Sequence, residues 1–153
     1  MVGMKIFAFA ALAIGAIAAP VADSKSFKVG VTIGSKTLYL TGTDKSSENI
    51  ADGIACKIVD TAISCGADNK GYDYNPLHPF EGALVLSAKP SNNKGWAIDA
   101  DNKITWKTSD NKFVNFSTSA VGKPNEIFAE ICSTYGHPDG AVFTPGVAKA
   151  YYV

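Results

Sequence analysis

Hydrophobic and polar residues alternate along much of the chain after residue 26. Phe27–Ile33 alternates with a period of two, and a Gly-Ser-Lys turn separates this run from a second one at residues 37–41. Shorter runs of the same kind recur at residues 53–59, 62–65, 83–88, 96–98, 104–107 and 113–117, with Asp, Asn, Gly and Ser between them. Such alternation, rich in Val, Ile, Thr and Tyr, is typical of half-buried strands. We therefore predict an all-β fold: a single antiparallel sandwich or barrel-like domain.

One segment fits two kinds of structure. Residues 126–135 place apolar side chains at positions 127, 128, 131, 132 and 135, which matches one face of a helix. Pro124 before the segment and Gly136 after it are typical helix boundaries. A strand is nearly as good an interpretation, since the neighbouring segments are β-rich. The sequence therefore leaves open one short helix near residues 126–135.

The N-terminus has the composition of a secretory signal peptide. Lys5 precedes a short apolar run, which ends in small residues followed by Pro20. The run is too short to cross a bilayer as a helix, which takes about 20 apolar residues. We predict a signal peptide at residues 1–19, cleaved after Ala18 or Ala19, and a single β-rich domain at residues 20–153.

Composition and charge narrow the range of partners. The 14 basic side chains are all lysines, and 14 acidic side chains balance them. Nucleic acids and anionic membranes select a concentrated basic surface, so we expect neither as the main partner. No later run reaches transmembrane length, and the C-terminus lacks the hydrophobic tail of a lipid-anchor signal. These features predict a secreted protein, extracellular or in a cell wall, without a transmembrane or lipid anchor.

Three cysteines follow the predicted signal peptide: Cys56, Cys65 and Cys132. A two-residue turn at Asp60 and Thr61 would set Cys56 opposite Cys65 at a non-hydrogen-bonded site, where Cα atoms lie about 4.5 Å apart. A disulfide can form at that distance. We predict this disulfide, which leaves Cys132 free or available for an intermolecular bridge. Pairing of Cys132 with one of the other two is the alternative, and the spacings do not fit a zinc site.

Asn115-Phe116-Ser117 is a sequon for N-linked glycosylation. A glycan requires Asn115 on the solvent face of its strand. Alternation then places Val114 and Phe116 inward and sends Phe113 outward. We predict Asn115 as the glycosylation site and leave its occupancy open.

No combination of residues predicts a catalytic site. His78 and His137 each adjoin a proline, and no G-x-S-x-G motif accompanies them. Glycoside hydrolysis needs two carboxylates facing a cleft, for which Glu81, Glu126 and Glu130 are the candidates. Residues 99–103 begin like a calcium loop but lack its later ligands and glycine, and they indicate a polar hairpin turn. We predict a protein that is not an enzyme and has no catalytic residues, cofactor or metal.

Four aromatic residues are candidates for contact with carbohydrate: Tyr72, Tyr74, Trp96 and Trp106. Flat rings with polar edges can stack on the faces of sugars. Tyr72 and Tyr74 lie in turn-rich sequence, so we expect them to be exposed. The alternation favours a second interpretation of Trp96 and Trp106, in which they fill the core between adjacent strands.

Residues 95–106, Gly-Trp-Ala-Ile-Asp-Ala-Asp-Asn-Lys-Ile-Thr-Trp, resemble the small secreted fungal cell-wall proteins of the PhiA type. Those proteins carry a similar Gly-Trp-small-aliphatic-Asp-x-Asp-x-x-aliphatic hairpin after a signal peptide ending in Ala-Ala-Pro. The present chain is shorter, and its loops and cysteines differ. The resemblance implies a non-enzymatic, structural or binding protein of the fungal cell wall or extracellular space, with cell-wall polysaccharide as partner.

Two other classes of function fit the same sequence. A secreted effector or toxin-like protein that acts on another organism would have a similar size and disulfide. A small glycan-active enzyme would use Glu81 or Glu126. The wall protein is the leading hypothesis because export, the missing catalytic motifs and the resemblance agree on it.

Overall fold

A computed structural model describes residues 24–43, 45–78, 81–91, 93–109, 112–119, 127–130 and 143–153, most of which lie in strands. In chain order these strands are β1 (Phe27–Ile33), β2 (Lys36–Leu40), β3 (Ser46–Ser47), β4 (Ala55–Val59), β5 (Ala62–Cys65), β6 (Gly71–His78), β7 (Glu81–Ser87), β8 (Trp96–Ile98), β9 (Ile104–Trp106), β10 (Asn115–Ser119), β11 (Phe128–Glu130) and β12 (Phe143–Tyr152). A 3-10 helix, Ile50–Asp52, lies between β3 and β4. The predicted signal peptide lies outside these residues and stays a prediction.

Strand β1 is central to the sheet because both of its edges are paired. One edge pairs antiparallel with β12 along almost its whole length. The other edge is shared, since Phe27 and Lys28 pair with β4 whereas the residues from Gly30 onward pair with β2. Phe27, Val29 and Val31 point into the core and are fully buried, as the alternation predicts.

The rest of the sheet curls round from β12. The N-terminal part of β12 pairs with β10, and the sheet continues through β11 and β7 to β6. A bridge between Cys65 and Lys70 connects the end of β5 to the start of β6, and β5 leads back through β4 to β1. The antiparallel pairs thus form a curled, barrel-like sheet. The predicted all-β fold is confirmed.

The ambiguous segment contains a strand. Phe128–Glu130 pairs antiparallel with β10 on one side and with β7 on the other. The helix interpretation is therefore wrong for these three residues, because they lie inside the sheet and hydrogen bonds to two neighbouring strands replace those of a helix. The rest of the segment, from residue 131 onward, lies outside the described residues.

The hairpin of β4 and β5 has the predicted register. Cys56 pairs with Cys65, and the two form a disulfide whose Cα atoms are 4.0 Å apart. The turn residues Asp60 and Thr61 have positive φ angles, 47° and 64°, as a two-residue type I′ turn requires. The predicted disulfide is confirmed. Cys132 lies outside the described residues, so its predicted state is untested.

Aromatic side chains from separate strands fill the interior. Trp96 of β8 and Trp106 of β9 stack with ring centroids 4.7 Å apart and planes 14° from parallel. The ring centroids of Phe116 and Tyr72 lie 6.1 Å and 6.3 Å from the ring centroid of Trp96. The β8–β9 hairpin is also bridged to β12, so it covers the inside of the curled sheet and closes the core. Within the described part of the chain, no helix is long and apolar enough to cross a membrane.

Candidate functional site

The aromatic residues predicted as sugar contacts are largely buried. Trp96 and Trp106 have no exposed surface, and Tyr72 is 1% exposed. The expectation that Tyr72 is exposed is wrong, because this residue lies in the long strand β6 and packs near Trp96 rather than in a loop. A sugar ring cannot stack on these three side chains while the domain is folded. Tyr74 also lies in β6, and its side chain lies outside what the structure describes.

Burial also determines the charge of Tyr72. Its hydroxyl donates a hydrogen bond to the carbonyl oxygen of Thr41 over 3.3 Å. Removal from water raises the pKa of Tyr72 far above its ordinary value, because burial disfavours the phenolate. Tyr72 is therefore a neutral core residue of the folded domain.

A cleft of about 680 Å³ opens beside the β8–β9 hairpin. One wall is residues 90, 91 and 93–95, which lead into β8, and the other is residues 107–109, which follow β9. Ala62 of β5 also lines the cleft. Asn92 lies outside the described residues. Pockets of about 300–1,000 Å³ are the usual size for small-ligand sites, so this cleft, hereafter the hairpin cleft, is the candidate binding site.

Two hydrogen bonds join the two walls of the hairpin cleft. The amide of Lys107 donates to the carbonyl of Gly95 over 2.9 Å, and the indole of Trp106 donates to the carbonyl of Lys94 over 3.1 Å. Gly95 has a φ of 93°, and a Cβ at this position would lie 1.9 Å from the carbonyl oxygen of Lys107. Only glycine therefore permits this close approach.

The side chain of Asn93 is held in place by a hydrogen bond and by close packing. Its Nδ2 donates to the carbonyl oxygen of Ile63 over 2.8 Å. The side chain lies against Gly71, where an added Cβ would come within 2.5 Å of it. Exchanging the amide nitrogen and oxygen would set two acceptors against each other at Ile63, so the orientation is determined.

The remaining amide oxygen of Asn93, Oδ1, accepts no hydrogen bond from the described residues. It is also shielded from solvent, so a ligand in the cleft does not contact it in this conformation. A buried acceptor without a donor costs about 1–3 kcal/mol. Asn93 therefore gives the wall of the cleft a fixed side chain rather than an accessible acceptor.

Lysine and hydroxyl groups also line the cleft. The ammonium group of Lys94 is 3.8 Å from the carboxylate of Asp60, and both side chains are mostly exposed. Lys107 lines the cleft together with Thr108 and Ser109. The arrangement suits a ligand that offers many hydroxyl groups, because the lining combines amide, hydroxyl and ammonium groups.

Sequence reasoning missed the hairpin cleft. The stretch at residues 91–95 contains only Ser, Asn, Lys and Gly, which indicates a loop without showing which side chain bonds to a distant strand. The bond from Asn93 to Ile63 spans 30 positions, so no local pattern could reveal it. The one available signal was Gly95 directly before the tryptophan of the hairpin.

The orientation of the sequon agrees with its prediction. Asn115 lies on the exposed face of β10, while Val114 and Phe116 are buried. Phe113 is 54% exposed, as the alternation required. Glycosylation itself remains a prediction.

The other candidates are only partly described. Glu81 and His78 lie in β7 and β6, but their side chains, like Glu126 and His137, lie outside the described part. The carboxylate of Asp99 accepts hydrogen bonds from the amides of the next turn, so this segment is a polar hairpin turn. Among the residues that the structure describes, no group of three or more His, Cys, Asp or Glu could hold a metal ion.

Comparison of the chain with known protein families, with curated proteins and with solved structures finds no match to any of them.

Proposed function

We propose that the chain is a secreted, non-enzymatic binding protein of the fungal cell wall or extracellular space, and that it binds wall polysaccharide in the hairpin cleft. The observation that carries this proposal is the hairpin cleft itself, a space of about 680 Å³ whose described lining combines amide, hydroxyl and ammonium groups. Polar groups of these kinds around a cleft of this size favour a ligand rich in hydroxyl groups.

Polysaccharide is the class of ligand that matches the lining. The cleft is lined by an amide, hydroxyl groups and the ammonium groups of two lysines. A sugar chain presents both donors and acceptors along its length, so it is chemically complementary to a lining of this kind. The resemblance of residues 95–106 to PhiA-type wall proteins supports the same ligand, because this hairpin supports both walls of the cleft.

Export is supported by two independent features. The N-terminal sequence has the composition of a signal peptide. The Cys56–Cys65 disulfide belongs to the chemistry of oxidising compartments, since disulfides rarely persist in the cytosol. Both features agree with a protein that functions in the wall or the surrounding medium.

The location can be tested by fractionating the source culture. We expect the protein in the wall fraction, released by detergent or glucanase. Protein found exclusively in the soluble medium would contradict the wall proposal and favour the rival class, an effector or toxin that acts on another organism.

The role of the hairpin cleft can be tested by blocking it. Ser109→Trp places a large side chain in the cleft, and Ser35→Trp is the matched control, because Ser35 is exposed in the β1–β2 turn and does not line the cleft. We expect Ser109→Trp to weaken binding to insoluble wall glucan, chitin or mannan at least about tenfold, which corresponds to about 1.4 kcal/mol. Equal binding by both variants would contradict the proposed site.

A further inference from the structure

A second depression lies between β9 and β10, above β12. It has a volume of about 390 Å³, and Phe116, Ile104 and Ala148, all nearly fully buried, contribute to its lining. β12 pairs with β10 up to Gly146 and is then bridged to the start of β9 at Lys149. Between these two points along β12, the strands β10 and β9 are separated, and the depression lies in this gap. It is hereafter called the β10 notch.

The rim of the β10 notch is apolar and exposed. Phe113 is 54% exposed and Val147 is 45% exposed, and both line the notch. The ammonium group of Lys107 lies 4.5 Å from the centroid of the Phe113 ring. Exposed aromatic and aliphatic side chains that meet at a depression indicate a surface that some group covers.

Asn115 of the sequon lies within this surface. It lines the notch and is exposed on the same strand face as Phe113, two residues earlier. Val147 of β12 lines the same notch. The side chain that would carry a glycan therefore shares the notch with the two exposed apolar residues of the rim.

We propose that Asn115 carries an N-linked glycan whose first N-acetylglucosamine unit packs into the β10 notch against Phe113 and Val147. A sugar ring has an apolar CH face that suits the negative face of an aromatic ring. The covalent link holds this sugar at the notch, so its packing costs little translational entropy. The glycan both covers the apolar rim and stabilises the end of β10.

The third residue of the sequon indicates when the glycan is added. Ser117 is 1% exposed in the folded domain, although its hydroxyl is part of the recognition signal. Transfer must therefore precede the packing of β10 into the sheet, during export. The inference rests on the export proposed above.

The first experiment measures occupancy. The full chain is produced in a glycosylating yeast, once with its own residues 1–19 and once with the signal peptide of the host in their place. We expect the exported protein to lose mass on treatment with peptide N-glycosidase, with Asn115 converted to Asp, and the Asn115→Gln variant to lack the glycan. An unmodified Asn115 in protein exported by the host signal would overturn the proposal. Export with the host signal peptide but not with the chain's own residues 1–19 would contradict the proposed export rather than the glycan.

The second experiment measures packing. One sample is trimmed to a single N-acetylglucosamine and another is fully deglycosylated. We expect the melting temperature of the trimmed protein to be about 2–5 °C higher than that of the fully deglycosylated protein. This difference corresponds to the stabilisation that a typical contact with an aromatic ring gives. Phe113→Ser should abolish this difference, whereas Val59→Ser, at another exposed apolar residue outside the notch, should retain it.

Two outcomes would contradict the packing of the sugar. One is an equal melting temperature for the trimmed and the fully deglycosylated protein. The other is a difference that persists unchanged in Phe113→Ser. Val147→Ser provides a second variant at the opposite side of the notch and should reduce the difference in the same way.

Discussion

Removing the disulfide should destabilise the whole domain, because it clamps the hairpin that connects β1 to the start of β6. Cys56 pairs with Cys65 across the hairpin, and Cys56 also pairs with β1. The bridge between Cys65 and Lys70 leads directly into β6. A change at this pair therefore affects four strands rather than one hairpin.

The size of the effect follows from the loop and the burial. The bonded cysteines are 9 positions apart. A loop of that length gives a chain-entropy stabilisation of about 2.6 kcal/mol at 25 °C. Both cysteines are 1% exposed, and replacing each buried sulfur atom by hydrogen should cost about 1 kcal/mol more. We expect Cys56→Ala/Cys65→Ala to lose about 4–5 kcal/mol of unfolding free energy, out of about 5–15 for a typical domain.

Urea unfolding monitored by tryptophan fluorescence measures this loss, because Trp96 and Trp106 are both fully buried and become exposed on unfolding. The experiment uses a Cys132→Ser background, which prevents thiol exchange. Reduced protein that retains Cys56 and Cys65 is the control, and it should lose only the entropic part, about 2–3 kcal/mol. A loss below about 1 kcal/mol in the alanine variant would refute the clamp.

Three further predictions concern the core and the turns. In urea unfolding, Trp106→Phe should lose about 1–2 kcal/mol more unfolding free energy than Trp96→Phe. The Trp106 indole donates a hydrogen bond, whereas the buried Nε1 of Trp96 has no partner among the described residues. Equal losses would contradict this. Thr61→Gly should raise, and Gly34→Ala lower, the unfolding free energy by about 1 kcal/mol each, because both positions have φ near +60°, which favours glycine; a change of the opposite sign at either position would count against the turn geometry. Above about pH 10 the wild type should lose unfolding free energy faster than Tyr72→Phe, by up to about 1.4 kcal/mol per pH unit. The reason is that burial raises the pKa of Tyr72, so only the unfolded chain releases the proton in this range. Parallel pH profiles of the two proteins would contradict this.

The parts of the fold that depend on local pattern could be predicted from the sequence. Counting outward from a turn at Asp60 and Thr61 gave the register that brings Cys56 opposite Cys65, because each step along one strand is matched on the other. β1 was predictable for the same reason, since its alternate side chains enter the core.

The parts that depend on distant contacts could not be predicted. Alternation places Trp96 and Trp106 on one face of a hairpin, but the sheet that lies over that face decides whether they are buried. Phe128–Glu130 is a strand because β7 and β10 pair with it on both sides. In the hairpin cleft, the position of the Asn93 side chain depends on a bond to a strand 30 positions away.

The central claim, that polysaccharide binds in the hairpin cleft, is tested most directly by NMR titration. Nitrogen-labelled protein is titrated with soluble oligosaccharides of wall glucan, chitin and mannan. The side-chain amide of Asn93 and the backbone amides of residues 93–95 and 107–109 report on the two walls. The account predicts that the largest saturable shifts occur at these amides for one of the oligosaccharides. Shifts confined to other surfaces, or none with any of the three, would contradict it.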